Sequence, residues 1–267
     1  MASAKASNRK IFSIVLATYN CGRKIEPTIE SILCQNKDLF ELIVVDGAST
    51  DDTLDRVKKY ESSLKLISEK DGGVYHAFNK GIESAAGQYL YFIGAGDRLR
   101  EGVLETVSEF LPPGVQALVY GDAYVVKEKI HYGGEFCESR LQRQNICHQA
   151  VFYHRDIFAL VGKYDLRYSI FSDWALNLKC FGDRRVSKQY LRRVIVDFEG
   201  GGLSSTGGDA DFKKDFPRLI RNYLGVKSYI AYKSPRVASG IYWKVYFPFV
   251  RPLVGALRRL KNGGRES

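Results

Sequence analysis

The 267-residue sequence contains no run approaching the roughly 20 uncharged apolar residues that a membrane-spanning helix requires. It also lacks a CxxC pair. Its five cysteines, Cys21, Cys34, Cys137, Cys147 and Cys180, are an odd, scattered set, which argues against a disulfide framework and a zinc site and fits reduced thiols in a cytoplasmic protein. Neither common phosphate cradle is present. There is no GxxxxGK[ST], and Gly94 and Gly96 lack a third glycine and follow the fourth predicted strand instead of the first. P-loop and dinucleotide chemistry are thereby set aside. Acids are missing from one region: between Val226 and Arg265 there are nine Lys or Arg and no Asp or Glu. Most of the net charge of +10 therefore belongs to a basic tail, and the remainder of the chain is close to neutral.

What is present is an ordinary globular composition, 45% hydrophobic and 26% charged, in a length that suits one large α/β domain. Residues 1–10, polar and basic, are expected to be a disordered tail and not a secretory leader. IFSIVLAT (11–18) and FELIVVD (40–46) are β-branched apolar runs that predict strands buried on both faces. Between them Ile25, Ile29, Ile32 and Leu33 recur at helical spacing, with Glu26 and Pro27 early, as helix starts favour. A turn rich in capping residues, GASTDDT, and a helix over about 52–61 precede a third strand, LKLIS. Then comes SEKDGGVYHAFNKGIESAAGQYLYFIGAGD (68–97), which reads as a loop carrying Asp71, a helix, a turn at Gly87 and a fourth buried strand delivering Asp97. The order βαβαβαβ predicts a parallel sheet with right-handed crossovers.

A second half follows a helix over about 101–110 and the break at Pro112, Pro113 and Gly114. ALVYGDAYVV and KEKIHYGGEF predict two adjacent antiparallel strands. A short apolar segment at 147–153, helices at 156–161 and 173–181, and a last strand at 193–198 complete the expected domain, 11–207, with a nucleotide-binding half over 11–97 and an acceptor half over 98–207. GGGLSSTGGD, with five glycines, reads as a flexible lid. Residues 208–267 are expected to form a helical, basic extension.

Asp46, Asp71 and Asp97 each follow a different predicted strand on the same side of a parallel sheet, where ligands of α/β proteins gather. Such a cluster is repulsive unless a cation, hydrogen-bond donors or a nucleobase satisfies it. Each acid taken singly is equally well explained as a helix cap, and both readings stay open here. A nucleotide bound without a phosphate cradle would need a divalent metal held by one or two carboxylates to neutralise its diphosphate.

SIVLATYN, IVVDGASTDDT, SEKDGGVYHAFNKGIESAAGQYLYFIGAGDRL, VYGDAYV and HQAVFYHRDIFALVGKYDLRYSIFSDWALNLK, in this order, resemble the family 2 glycosyltransferases over about residues 11–205. The resemblance implies the GT-A fold, α/β with a Rossmann-like, mostly parallel sheet and a smaller antiparallel part, in a subgroup that makes bacterial surface polysaccharides. It implies that Ala17, Tyr19, Asp46 and Asp71 line the nucleoside pocket, with Asp46 reading the base, and that Asn79 and Lys80 lie near the ribose and phosphates. Asp97 matches the last acid of the DxD-type metal motif. The motif's first acid is Ala95 here, so Mn2+ or Mg2+ would depend on Asp97, the donor diphosphate and water. Asp173 matches the general base, which takes a proton from the acceptor hydroxyl opposite the leaving group and so gives inversion; a helix N-cap is a compatible alternative. His148, with Gln149, borders the acceptor or is bound in a buried network. Trp174 is a sugar-stacking surface or core. The expected reaction transfers a sugar from a nucleotide sugar, a UDP-sugar, to a hydroxyl of a lipid-linked glycan.

The C-terminal stretch reads without any family. Ile241, Val245, Phe249, Leu253, Ala256, Leu257 and Leu260 share one helical face, with Lys244, Arg251, Arg258 and Lys261 opposite and Pro248 and Pro252 as interruptions. A basic amphipathic segment without acids points to an anionic membrane surface, here through residues 226–265 at the cytoplasmic face of the cell membrane. Packing on the body of the protein or on a second copy in a homo-oligomer is the alternative. A nucleotide-sugar-binding protein without activity and a nucleic-acid-binding protein using the tail are the other functions left open, although nucleic acid is not expected.

Overall fold

A computed structural model describes residues 10–200 and 208–234. Among these, β1 (Phe12–Thr18), β2 (Phe40–Asp46), β3 (Lys65–Ser68) and β4 (Tyr89–Gly94) run parallel in the order β3-β2-β1-β4. They are joined by α1 (Ile25–Leu33), α2 (Thr53–Lys58) and α3 (Val74–Ser84). All seven residues of β1 are buried, because it lies inside the sheet with helices on both faces. Its side chains alternate. Val15 and Ala17 pack with Tyr75 and Phe78 of α3, while Phe12, Ile14 and Leu16 pack with Ile25, Ile29 and Ile32 of α1.

The chain continues through β5 (Arg98–Leu99), α4 (Val103–Phe110), β6 (Ala117–Val125), β7 (Ile130–Tyr132), α5 (Glu138–Leu141), β8 (Val151–His154), α6 (Ile157–Val161), α7 (Ser172–Gly182) and β9 (Ser187–Phe198). Strand β8 is antiparallel to both β4 and β6, β9 is parallel to β6, and β5 is antiparallel to β9. The full order is β3-β2-β1-β4-β8-β6-β9-β5, with β7 hairpinned onto β6 as expected. A mostly parallel half and a smaller antiparallel part are thus one continuous sheet. Beyond it, α8 (Ala210–Leu219) and a π-helical turn (Ile220–Leu224) pack over α7, and α9 (Gly225–Lys233) packs on the π-helical turn.

Two features differ from expectation. Strand β9 starts at Ser187 and not near 193, since its polar first half is made a strand by its pairing with Ala117–Tyr120. The two-residue β5 carries no pattern that would announce it. The expected tail at 1–9, most of the lid (201–207) and the amphipathic stretch of the extension (235–267) lie outside the described residues.

Candidate active site

The parallel register sets Thr18 beside Asp46 and Asp46 beside Ser68, so β1, β2 and β3 end on one edge of the sheet. Asp46 closes β2 and is fully buried. Its carboxylate accepts hydrogen bonds from the Ser49 N–H (2.9 Å), the Ser49 hydroxyl and the Ser68 hydroxyl (3.0 Å), which fixes the turn that follows. That turn is tied to the end of β1, since the Asn20 side-chain oxygen accepts from Thr50 N–H (2.8 Å) and the Asn20 N–H donates to Ser49 Oγ (2.9 Å). Asp71 adjoins it: a Cβ on Gly47 would stand 3.0 Å from Asp71 Oδ2. The other oxygen of Asp71 accepts from Gly73 N–H at 2.9 Å, at the start of α3.

The remaining donor-side residues divide. Ala17 is buried in β1, whereas Tyr19 is 63% exposed and offers an open ring at the edge. Lys80 reaches back from α3 to the Glu69 carboxylate (3.0 Å) and the Lys70 carbonyl (3.1 Å), strapping the loop that delivers Asp71. Asn79 donates to the Tyr164 carbonyl (2.9 Å) and accepts from its N–H (3.1 Å). Both ends of that amide are therefore engaged in clamping α3 to the segment before α7.

Two further acids are buried and held by neutral donors. Asp97 accepts from the Gln149 side-chain amide (2.9 Å) and from the Glu199 N–H (3.0 Å), and burial pushes its carboxyl up to about 6. Asp173, in the first turn of α7, accepts from the Tyr75 hydroxyl (2.8 Å) and the Asn145 side-chain amide (2.6 Å); burial likewise pushes it up to about 6 against those donors. Asn145 is itself fixed by the Asn177 amide (2.9 Å), and Asn177 by the Tyr153 hydroxyl (2.8 Å). The Tyr75 hydroxyl also stands 2.6 Å from the Ile170 carbonyl, so one hydrogen faces two acceptors.

Asn145 and Gln149, four positions apart, thus hang Asp173 and Asp97 from a single segment. Cys147 lies between them, its thiol donating to Gln149 Oε1 (3.1 Å). Burial first, then the negative fields of Asp97 and Asp173, hold that thiol well above the usual thiol range. The two carboxylates are thus linked through one segment, and Tyr75 ties Asp173 to α3, the helix that follows Asp71.

Trp174 does not belong to that hydrogen-bond network. It is 4% exposed, its Nε1 donates to the Leu141 carbonyl (2.8 Å), and Phe212 and Phe216 pack on it at 5.3 and 4.7 Å. The acceptor-side expectation is corrected, because α7 is buried almost all round and the side chain beside Asp173 turns into the contact with α8. His148 lies against Phe78 with its Nε2 buried and without a hydrogen-bond partner among the described residues; burial pushes it down to about 4, so it stays neutral.

Sequence patterning missed Tyr75, Asn145, Asn177, Glu199 and Asp209. Asp209 accepts from Phe212 N–H (3.0 Å), capping α8, and from Ile170 N–H (2.9 Å) and Phe171 N–H (3.3 Å), so it also holds the lead-in to Asp173. An acid just before a helical pattern was the available signal for Asp209; lone asparagines gave none.

Among the described residues no group of three or more His, Cys, Asp or Glu could cage a cation. The oxygens of Asp97 are hard ligands, and a single carboxylate matches a Mg2+ or Mn2+ that takes its remaining ligands from phosphate and water. The donor set therefore fits a cation shared with a diphosphate and not one bound by protein alone.

Residues 13–158 match the family model for Glycosyl transferase family 2. A PGL/p-HBAD biosynthesis glycosyltransferase of Mycobacterium tuberculosis is 37% identical over 237 residues, which are 86% of this chain and 93% of that protein. A putative teichuronic acid biosynthesis glycosyltransferase of Bacillus subtilis, TuaG, is 34% identical over 107 residues, 39% of this chain and 42% of TuaG. Among solved structures, S. aureus TarS 1-349 in complex with UDP-GlcNAc superposes with a TM-score of 0.61 at 20% identity, covering 79% of this chain and 65% of that one. The mannosyltransferase PcManGT from Pyrobaculum calidifontis, in complex with GDP-Man and Mn2+, gives a TM-score of 0.58 at 17% identity, covering 97% and 77%. At those identities the two structures establish the fold, which is GT-A. The family match stops short of Asp173.

Proposed function

Because the chain belongs to glycosyl transferase family 2 and is a glycosyltransferase of the surface-polysaccharide type, we propose that it moves a sugar from a UDP-sugar to a hydroxyl of a lipid-linked glycan in one inverting displacement. The observation that carries this reading is the suspension of Asp97 and Asp173 from one segment, Asn145 and Gln149 each fixing one acid. Two carboxylates held from one short segment suit the two ends of one displacement.

Asp173 is the base. With its carboxyl at about 6 it is mostly ionised at neutral pH yet a much better proton acceptor than an ordinary aspartate. Tyr75 and Asn145 fix its oxygens, and its position in the first turn of α7 favours the anion. As the acceptor oxygen bonds to the anomeric carbon, its proton passes to Asp173, and the bond from that carbon to the diphosphate oxygen breaks with its electron pair leaving on UDP. Asp97 would hold the divalent cation, which when bound neutralises the departing diphosphate. Tyr19 gives the base a stacking face, and Asp71 beside Gly47 faces the nucleoside, with Ala17 and Asp46 forming the floor. The TarS complex with UDP-GlcNAc supports a uridine donor, and TuaG, named for teichuronic acid biosynthesis, supports a surface glycan.

The acceptor is reached at an anionic cytoplasmic leaflet. Helix α9 exposes Val226 (57%) and Ile230 (63%) next to Lys227 and Lys233, opening the acid-free stretch 226–265. Each basic residue near such a surface contributes about 1 kcal/mol. No helix among the described residues is long and apolar enough to cross a membrane.

A panel of nucleotide sugars with Mn2+, read by melting temperature, tests the donor. UDP-sugars are expected to stabilise the protein, since a ligand bound only by the native state does so in proportion to the logarithm of its excess over Kd, and Asp97→Asn should remove the Mn2+-dependent part. A panel in which no nucleotide sugar stabilises the protein would contradict the reading.

A further inference from the structure

Resting on the reading that a nucleoside diphosphate shares a divalent cation with Asp97, we propose that Glu199 supplies the second protein carboxylate to that cation, the role that Ala95 cannot fill. Three observations converge on Glu199. The β5–β9 pairing, Arg98 against Asp197, carries the residue just past β9 back to the turn that delivers Asp97. The Glu199 N–H donates to Asp97 Oδ1 at 3.0 Å, so the two residues are locked together through the backbone. Its side chain then folds over Gly96: a Cβ there would stand 2.5 Å from Glu199 Oε2, closer than any real contact. Gly96 has a φ of 105°, a conformation that glycine adopts freely. The turn between Ala95 and Asp97 is thus cut away on the side where the Glu199 carboxylate lies.

Two adjoining carboxylates call for a cation. In the structure that cation is the Lys24 ammonium, 3.3 Å from Glu199 Oε2, with 62% of its side chain exposed. An exposed lysine held by one oxygen is readily exchanged and contributes little to stability. A divalent ion with hard oxygen ligands from Asp97, Glu199, phosphate and water satisfies the same charges with a full coordination shell. As an ion-pair partner of Lys24 alone, Glu199 would need neither the space at Gly96 nor the backbone tie to Asp97.

The test is Mn2+ binding to the full chain at saturating UDP, followed by the electron paramagnetic resonance signal of free Mn2+. Glu199→Gln is expected to weaken Mn2+ about tenfold or more, with the melting temperature of the unliganded protein unchanged. Adding Ala95→Asp to that variant should recover most of the loss. Wild-type affinity in Glu199→Gln, with binding lost in Asp97→Asn, would overturn the role of Glu199 and leave the donor reading intact. A loss that Ala95→Asp does not restore, accompanied by a lower melting temperature, would make Glu199 a structural partner of Lys24 and likewise overturn it. Failure of the wild type to take up Mn2+ with UDP would remove both.

Discussion

Asp173 is framed so that the neutral side chain suits its surroundings better than the anion does. The Tyr75 hydroxyl has one hydrogen and two acceptors, Asp173 at 2.8 Å and the Ile170 carbonyl at 2.6 Å. An asparagine at 173 relieves that conflict. Its oxygen accepts from Asn145, its amide donates to the Tyr75 oxygen, and the Tyr75 hydrogen is released to Ile170. The pH dependence follows from the raised carboxyl. With a folded value of about 6 against an ordinary 3.8, the native state binds the extra proton between those limits. Ionisation therefore lowers stability as pH rises from about 4 through about 6, by an amount on the order of 3 kcal/mol. Asp173→Asn should accordingly melt higher than wild type at pH 8, with the difference vanishing near pH 4; equal melting at pH 8 would refute the frame. Asp97 is raised to the same degree, but its partners, the Gln149 amide and the Glu199 N–H, are both donors. An asparagine amide there must face one of them, so Asp97→Asn should gain much less. Asp97 was legible in the sequence because a carboxylate just past a buried strand is conspicuous, whereas Asp173 stood out only through the family resemblance. Their holders were not, since Asn145 and Asn177 are neutral amides whose meaning comes only from what folds against them. Trp174 was open to two readings because an aromatic beside an active acid has the same pattern whether it faces sugar or core.

At the scale of elements, α3 ties the donor side to the base, bearing Lys80 on the Asp71 loop and Tyr75 on Asp173. It lies so close to β1 that a Cβ on Gly81 would stand 2.2 Å from Val15 Cγ1. Val15 is fully buried and β-branched, with no room to turn away. Gly81→Ala should cost about 1–3 kcal/mol, measured by denaturant unfolding, and lower turnover by displacing Tyr75. Asp209 joins α8 to the lead-in of α7, so Asp209→Ala should cost about 1–2 kcal/mol and reduce turnover more than nucleotide affinity. Nucleotide affinity falling in step with turnover would show that Asp209 does not act on the Asp173 side alone. Helices and central strands were readable from apolar periodicity. The first half of β9 was not, because SKQYLRR has no apolar run and becomes strand only through its long-range pairing with β6.

For the whole molecule, the parallel character of the β3-β2-β1-β4 half follows from consecutive βαβ units and was legible, though the pairing of β4 beside β1 was not. The order β8-β6-β9-β5 depends on which distant strands meet, which local patterning does not encode. The basic stretch beyond α9 is proposed to serve membrane attachment apart from the chemistry of the body. Deleting residues 235–267 should leave unfolding of the body and turnover of a soluble acceptor unchanged while abolishing flotation with vesicles containing anionic lipid. Loss of stability on deletion would mean instead that the stretch packs on the body.

Sugar incorporation into a membrane lipid extract by Asp173→Asn, with UDP affinity in Mn2+ measured in parallel, bears most directly on the proposal that Asp97 and Asp173 serve the two ends of one displacement. A folded variant that binds UDP within about twofold of wild type and transfers about 10²–10⁴-fold more slowly is the predicted result. Transfer at the wild-type rate would contradict it.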